Sequence, residues 1–325
     1  MSAGHCGHRR VGPAQRGTAL LLALVILALV TTLAAAMVTR QQRALAVEAA
    51  ERARSQSAWV LAGALDWARL ILREDARKGN VDDLGEPWAV PLAEARLSTF
   101  LAADQDNNAA SEDGPEAFLS GVVRDQQGRF NVQNLVTDTN EPDPAAIDAL
   151  RRLCLVIGVP DEVALRITNG LLAAMQEDDP DAPLLPTRLS QLRWLGVDDA
   201  AMARLQPYVT LLPARTKVNI NTAPREVLAA VIPGMDLGGA ERIVQRRART
   251  PYKQPQELLA ELGPSAENAL DALATGSAYF EVIGRLRLDE RLFEERSIVH
   301  RSGQRAGEVT TLLRERRSLP PGTLP

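Results

Sequence analysis

GTALLLALVILALVTTLAAAMV occupies residues 17–38 and sets the architecture of the chain. From Thr18 through Val38 it contains no charged residue, proline or glycine, so a single helix can satisfy the backbone hydrogen bonds of this segment. Its 21 residues rise about 31 Å at about 1.5 Å each, which is enough to cross a bilayer. The sequence therefore predicts a transmembrane helix over residues 18–38.

The residues before this helix predict its orientation. Arg9, Arg10 and Arg16 make the arm of residues 1–17 basic, and the arm contains no Asp or Glu. Because basic flanking segments stay in the cytoplasm, we expect a cytoplasmic N-terminus and export of everything after Val38.

Three interpretations fit the apolar segment. In the first it is a secretory signal peptide, since Ala34-Ala35-Ala36 resembles a cleavage site. In the second it is an uncleaved single-span anchor. In the third the chain is cut on the cytoplasmic side, between Gly17 and Thr18, and the apolar helix becomes the new N-terminus. A glycine directly before a long apolar run favours the third interpretation.

The composition argues against several classes of enzyme and against nucleic acid as a partner. The three histidines are His5, His8 and His300, so removal of residues 1–17 leaves only His300. The sequence contains no G-x-S-x-G, H-E-x-x-H, Walker or paired-cysteine motif, and we expect no catalytic residue and no required cofactor. Removal of residues 1–17 also changes the formal net charge from −4 to −7, which attracts nucleic acid poorly.

The helical pattern continues past the membrane segment. Apolar residues recur at steps of three and four through Leu61, Leu65 and Leu72, with charged residues between them, and Gly79-Asn80 ends the pattern. Residues 39–79 are therefore predicted to continue the helix as an amphipathic segment that lies on a soluble domain.

Strand patterns lie on both sides of a helical block. Strands are expected at 119–124 and 129–136, as a hairpin, and at 278–288, 291–301 and 308–314, with a short helix at 92–102. Short helices are expected at 144–157, 161–176, 188–194, 198–206, 223–231, 238–248, 255–262 and 264–275. Such short helices are not stable singly, so they are predicted to pack as one all-helical unit.

These elements predict an α+β fold, in which a long N-terminal helix packs on a small antiparallel sheet that a large all-helical insertion interrupts. The predicted boundaries are a leader at 1–17, a transmembrane helix at 18–38, its continuation at 39–79, a sheet domain at 80–141 and 277–317, an insertion with helix-hairpin-helix-like and SAM-like repeats at 142–276, and a disordered tail at 318–325.

Four motifs, in this order, resemble one family. They are RGTALL at 16–21, EPWAVP at 86–91, GRFNVQNL at 128–135 and VNINTAPREVL at 218–228. Together they make the chain similar to the minor pseudopilin K of the type II secretion system, also called general secretion pathway protein K. The likeness covers most of the chain.

The resemblance implies a pseudopilin fold without enzymatic activity, anchored by a single span in the cell inner membrane with its bulk in the periplasm. It implies cleavage between Gly17 and Thr18 by the prepilin peptidase, with N-methylation of Thr18. The implied partners are the minor pseudopilins I and J, the major pseudopilin, the inner-membrane assembly platform and the prepilin peptidase. The implied role is to cap the tip of the periplasmic pseudopilus and to help initiate its assembly for export of folded proteins across the outer membrane.

Leu22 fits a capping role. The pilin-like proteins that this chain resembles usually carry a glutamate at the fifth position after the cut, thought to pair with the N-terminal amine of a neighbouring subunit. A carboxylate left unpaired in hydrocarbon is costly, so leucine suits a subunit that enters first and has no earlier neighbour.

Residues 216–262 support a rival function. Asn219 to Pro224 and Ile232 to Gly239 also resemble the helix-hairpin-helix of DNA-binding proteins, in which backbone N–H groups at a helix N-terminus hold phosphate. Basic residues follow, namely Arg242, Arg246, Arg247, Arg249 and Lys253. The alternative is a membrane-anchored DNA-binding receptor, whereas the acidic net charge favours turns that only pack two helices.

An acidic loop is the candidate metal site. Members of the family tend to carry a longer aspartate-rich loop after the helix that matches Leu165 to Met175, and calcium has been associated with the insertion. This sequence keeps four carboxylates there, those of Glu177, Asp178, Asp179 and Asp181. They suffice to hold a hard cation such as Ca²⁺, and a solvated acidic loop is the other interpretation.

Overall fold

The computed structural model describes residues 15–97, 116–176, 182–302 and 308–320. It divides the chain into two compact units, Met1–Ala58 and Trp59–Pro325. The described part of the first unit is helical and belongs to helix α1 (Gln15–Ala76), whose large apolar residues from Leu20 to Val38 are more than half exposed. Among the described residues, α1 is the one helix long and apolar enough to cross a membrane, which agrees with the prediction for this segment.

The second unit contains a five-stranded antiparallel sheet. Its neighbouring strands, numbered along the chain, are β1 (Leu92–Arg96), β2 (Ala117–Asp125), β7 (Tyr279–Leu288), β8 (Arg291–Arg301) and β9 (Val309–Leu319). Strand β2 pairs with β7 along its whole length, from Ala117 opposite Leu288 to Asp125 opposite Phe280. Strands from before and after the helical block therefore form one sheet, as predicted.

The last turns of α1 pack on this sheet. Leu65, Ala68 and Leu72 are buried in one apolar cluster with sheet residues that include Phe280 and Val299. The guanidinium of Arg69 donates to the carbonyl O of Val309 at 2.6 and 2.9 Å, which ties the helix to the far edge strand. Of the segment predicted at 39–79 to lie on a soluble domain, residues 59–76 contain the helix residues that pack on this sheet.

Two predictions for the sheet are wrong. Residues 92–96 form strand β1 and not the start of a helix, because the backbone of β2 offers hydrogen-bond partners to this segment. Residues 129–136 do not return along β2 as a hairpin. Instead β3 (Phe130–Asn131) leaves the sheet and pairs in parallel with β4 (Val209–Thr210), and a 3₁₀ helix follows at Val132–Leu135.

The side chain of Asn131 explains why the hairpin does not form. Its amide donates to the carbonyl O of Ala214 at 2.7 Å, and its oxygen accepts from the backbone N–H of Leu212 at 3.1 Å. Both partners lie about 80 residues further along the chain, so no local turn signal reveals them.

The helical block contains the short helices that the sequence predicts. The α-helices are α2 (Pro144–Val156), α3 (Glu162–Ala174), α4 (Asp199–Leu205), α5 (Arg225–Val231), α6 (Leu237–Arg247) and α7 (Leu259–Leu262). Segments Leu189–Leu195, Pro255–Leu258 and Pro264–Ala272 are 3₁₀ helices. Asp143, Asp198 and Asp236 accept hydrogen bonds from the first turns of α2, α4 and α6, which begins these helices where the sequence places them.

The insertion is not all-helical, which corrects the prediction. Besides β3 and β4 it contains a second parallel pair, β5 (Val218–Asn219) with β6 (Leu273–Ala274). Its apolar core also includes Phe130, Val132 and Leu135, from the segment that the sequence analysis assigns to the sheet domain. The insertion therefore begins directly after β2 and not at residue 142.

The predicted tail also begins too early. Strand β9 pairs with β8 as far as Leu319 opposite Leu292, so residues 318 and 319 belong to the sheet.

Candidate functional site

The predicted cleavage site lies at the beginning of α1. The helix starts at Gln15 and therefore runs through Gly17 and Thr18, and Thr18 is exposed. Leu22 is 62% exposed and presents an apolar side chain. The backbone is helical on both sides of the predicted cut. Cleavage between Gly17 and Thr18 and methylation of Thr18 stay predictions.

The predicted calcium ligands Glu177, Asp178, Asp179 and Asp181 lie outside the described residues. Helix α3 ends at Ala174, shortly before the acidic loop. Calcium binding by this loop therefore stays a prediction.

A buried polar cluster connects the sheet domain to the insertion. We call it the joint and define it by Asp82, Asp125, Asn219, Ser277 and Arg301, which are all at least nine-tenths buried. Sequence analysis points to Asn219 through the VNINTAPREVL motif, but it gives no role to the other four residues.

Arg301 of β8 forms one half of the joint. Its guanidinium donates to both carboxylate oxygens of Asp82, at 2.5 and 2.6 Å, and to Asp75 at 2.9 Å. It also donates to the carbonyl O of Ser277 at 2.8 Å and lies 4.8 Å from the ring centre of Phe280. One side chain thus connects the end of α1, the loop that follows it and the start of β7.

Asp125 and Asn219 form the other half. The carboxylate of Asp125 accepts from the hydroxyls of Ser277 and Thr222, at 2.6 and 2.5 Å, and from the amide of Asn219 at 3.2 Å. The Asn219 amide also donates to the carbonyl O of Asp82 at 3.1 Å. The VNINTAPREVL motif of the insertion is therefore bonded directly to the end of strand β2.

Two glycines allow this close approach of the backbones. A Cβ at Gly128 would lie 2.8 Å from the hydroxyl of Thr222, and a Cβ at Gly276 would collide with the carbonyl O of Asn80. The glycine that opens GRFNVQNL is therefore needed by the contact with VNINTAPREVL, and the two motifs meet at the joint.

Burial raises the pKa values of three acids in or beside the joint, those of Asp82, Glu86 and Asp125. Removal from water raises the pKa of Asp82 to about 6, although Arg301 opposes this shift. Burial likewise raises the pKa of Glu86 to about 7, while its carboxylate accepts from the indole N–H of the buried Trp88 at 2.7 Å. Burial also raises the pKa of Asp125.

The same acids resemble a cation site by geometry. One carboxylate oxygen from each of Asp75, Asp82 and Glu86 lies within 4.8 Å of the others. Arg301 already bonds two of these carboxylates, those of Asp75 and Asp82. The third acid, Glu86 of the EPWAVP motif, accepts a hydrogen bond from the buried Trp88. The three acids therefore already have partners within the chain.

The helix-hairpin-helix segment is arranged for packing. Arg247 is buried and donates to the carbonyl O of Ile220, and burial lowers its pKa to about 10. Arg246 lies 4.2 Å from the ring centre of Tyr252 and forms an ion pair with Glu261 at 2.6 Å. Two of the five basic residues that suggest DNA binding are therefore engaged within the chain.

A carboxylate of this chain occupies the helix N-terminus at which a helix-hairpin-helix would bind a DNA phosphate. The carboxylate of Asp236 accepts from the backbone N–H of Gly239 at 2.7 Å, at the N-terminus of α6. A phosphate bound at these backbone N–H groups would be repelled by the Asp236 carboxylate, which already accepts a hydrogen bond there. The arrangement does not favour the DNA-receptor alternative.

Comparison with known proteins gives matches in agreement with this architecture. The family described as type II secretion system (T2SS), protein K matches residues 128–214 and 218–276. A type II secretion system protein K from Pseudomonas aeruginosa is 30% identical over 307 residues, which cover 85% of this chain and 86% of that protein. The chain belongs to the type II secretion system protein K family. A second member, from Pectobacterium carotovorum subsp. carotovorum, is 31% identical over 332 residues, with 91% of this chain and 95% of that protein covered.

A solved structure shares the fold of this protein K family member. It is a chain from the crystal structure of the GspK-GspI-GspJ complex of the enterotoxigenic Escherichia coli type 2 secretion system. The likeness has a TM-score of 0.63 at 20% identity and covers 82% of this chain and 98% of that chain. The matched family segments run from Gly128 to Gly276, which is the insertion as the structure bounds it, between β2 and β7.

Proposed function

We propose that this chain is the minor pseudopilin that caps the tip of a type II secretion pseudopilus and helps to initiate its assembly. In this role it is a structural subunit and has no catalytic activity. It is anchored in the inner membrane by residues 18–38, with its N-terminus in the cytoplasm and its bulk in the periplasm. Its partners are the minor pseudopilins I and J, the major pseudopilin and the assembly platform.

The size of the insertion is the observation that carries this proposal. Among the described residues, the apolar core of the insertion contains 35 buried residues, whereas the cluster between α1 and the sheet contains 8. A unit that large on every subunit would be hard to accommodate in a close-packed fibre, but it is tolerated at an end. Leu22 supports the same position, because it lacks the carboxylate that needs an earlier neighbour.

Immunogold labelling tests the position directly. We expect label on the insertion at one end of isolated pseudopili, and loss of the gene to reduce secretion and fibre initiation while major pseudopilin stays in the membrane. Label spaced along the length of the fibres would contradict a capping role.

The N-terminal mass of the membrane-extracted protein tests processing. We expect the mature chain to begin at Thr18 with a methylated amine, because Gly17 precedes an uncharged helix on its cytoplasmic side. An N-terminus at Met37 would instead establish a signal peptide.

A further inference from the structure

Strand β9 is an edge of the sheet. It pairs with β8 on one side, and within the described part of the chain no strand pairs with its other side. An edge strand presents backbone N–H and C=O groups to which a further strand can bond. Arg69 of α1 donates to the carbonyl O of Val309 at the start of β9. The part of the edge that a further strand can reach therefore lies at 312–318.

Arginines stand on both faces of the sheet along this edge. Glu294 and Glu295 are successive residues of β8, so their side chains point to opposite faces. Arg317 of β9 donates to Glu294 at 2.6 Å on one face. Arg314 and Arg316 of β9 pair with Glu295 on the other face. Because the side chains of a strand alternate, a strand added beside β9 would meet arginine on both of its faces.

The arginines outnumber the carboxylates to which they bind. Glu294 and Glu295 are nearly inaccessible to solvent, whereas the side chains of Arg314 and Arg317 are 43% and 55% exposed. The negative charge thus lies inside and the positive charge outside, on a chain whose formal net charge is −4. The connected ion pairs contain six arginines and four glutamates, namely Arg188, Arg285, Arg296, Arg314, Arg316 and Arg317 with Glu281, Glu294, Glu295 and Glu315.

The insertion turns this edge into a cleft. Arg188 directly precedes the 3₁₀ helix at Leu189–Leu195 and pairs with Glu315 of β9 at 2.9 Å. Together with Ser190 it forms one side of a cleft of about 450 Å³, whose other described lining residues belong to β8 and β9. A segment that lies along β9 would therefore be held between the sheet edge and the insertion.

Charge and shape select the occupant of this edge. A second copy of β9 would place arginines opposite arginines, and like charges on neighbouring strands are destabilising. A nucleic acid would supply negative charge but would leave the backbone groups of the edge without partners. An extended acidic polypeptide supplies both the backbone partners and the carboxylates.

We propose that the β9 edge binds an extended acidic segment of a partner protein as an additional strand of the sheet. The backbone of the segment bonds to β9, and its carboxylates bond on one face to Arg314 and on the other to Arg317 and Arg188. Guanidinium groups suit this role, because each carries five N–H donors in a fork that matches a carboxylate. The proposal goes beyond the proposed function, because capping does not require this surface.

Peptide binding to the detergent-solubilised full-length protein tests the surface. The probe is a fluorescein-labelled peptide that repeats Thr-Glu-Glu four times, which places carboxylates on both faces of a strand. The control peptide repeats Pro-Glu-Glu, which keeps the charge but cannot pair as a regular strand. Fluorescence anisotropy should show binding of the threonine peptide at least about 10-fold tighter than that of the proline peptide. Hydrogen exchange at 312–318 should slow when the threonine peptide is bound.

A double variant tests the arginines. Arg314→Gln with Arg317→Gln should weaken binding of the threonine peptide at least about 10-fold. The buried acids keep cations in this variant, because Arg316 remains on Glu295, and Arg285 and Arg296 remain on Glu294.

The matched control removes the same charge from a place without a strand edge. Arg242 and Arg249 line another arginine-containing cleft, at α6 and the residues after it. Arg242→Gln with Arg249→Gln should leave peptide binding unchanged.

Four results would overturn the proposed surface. They are no binding of the threonine peptide, equal binding of the proline peptide, equal loss of binding in the two double variants, and unchanged exchange at 312–318 in the complex. The first would mean that the arginines only protect the edge against pairing. The proposed function in the pseudopilus does not depend on any of these results.

Discussion

The sheet domain and the insertion are held together in different ways. The insertion buries a continuous apolar core in which Leu150, Leu153 and Leu171 are completely inaccessible to solvent. The sheet domain has a small apolar cluster and relies in addition on buried acids paired with arginines, at Arg301 on the helix side and around Glu294 on β8. A hydrogen-bonded ion pair restricts the relative orientation of the groups that it joins more strictly than an apolar contact does. The difference suggests that the insertion is self-sufficient and that the sheet domain is completed by contacts outside its own core.

The joint should give the largest loss of stability. Arg301→Leu leaves Asp82 and Asp75 buried without their cation, so we expect the free energy of unfolding to fall by about 3–5 kcal/mol. Urea denaturation of the detergent-solubilised full-length protein measures it. The control is Arg188→Leu, which removes a half-exposed pair with Glu315 and should cost less than about 1 kcal/mol. A loss from Arg301→Leu as small as the one expected for Arg188→Leu would show that the joint does not stabilise the fold.

A cavity in the insertion should act locally. Leu171→Ala removes a fully buried side chain, and we expect a loss of about 3 kcal/mol in the stability of the insertion. Leu155→Ala is the control, because this leucine is 67% exposed. Hydrogen exchange should quicken in α2 and α3 of the Leu171→Ala variant while β7 and β8 keep their protection. Equal loss of protection in the sheet would contradict the independence of the two regions.

Acid should affect the sheet through Glu294, which is 1% exposed. Burial alone would raise its pKa, but hydrogen bonds from Arg296, Arg285 and Arg317 outweigh burial and lower it to about 2. Because the folded-state pKa lies below the unfolded value of about 4.5, this carboxylate stabilises the fold above pH 4.5 and loses that effect as the pH falls through about 2. We expect the loss to be on the order of 2–3 kcal/mol, measured by thermal denaturation between pH 5 and about 2. Glu294→Gln should flatten this part of the pH profile, and an unchanged slope would contradict the assignment.

Asp82 of the joint should change the stability with pH in the opposite direction to Glu294. Since burial raises the folded-state pKa of Asp82 to about 6, its contribution is present below its ordinary value of 3.8 and is lost as the pH rises through about 6. Asp82→Asn should therefore change the slope of the profile above pH 4, where Glu294→Gln leaves it unchanged.

Much of this architecture is readable from local sequence. The uncharged run at 18–38 has no other way to satisfy its backbone in a membrane than a helix. Three of the short α-helices of the insertion begin at aspartates whose side chains cap them, so Asp143, Asp198 and Asp236 mark the positions of these helices within one or two residues. Alternating patterns place β7 and β8 in the same way. These signals depend on residues that are close together in the chain, so they can be recognised in the sequence alone.

The tertiary structure alone decided how these elements meet. Asn219 bonds to Asp82, 137 residues away, and Ser277 bonds to Asp125, 152 residues away. Such partners compete with local preference, which is why the segment at Phe130 joins the insertion and does not form the hairpin that its turn predicts. Periodicity determines which residues face a neighbour, and only the packed fold determines which neighbour is present and which face remains uncovered.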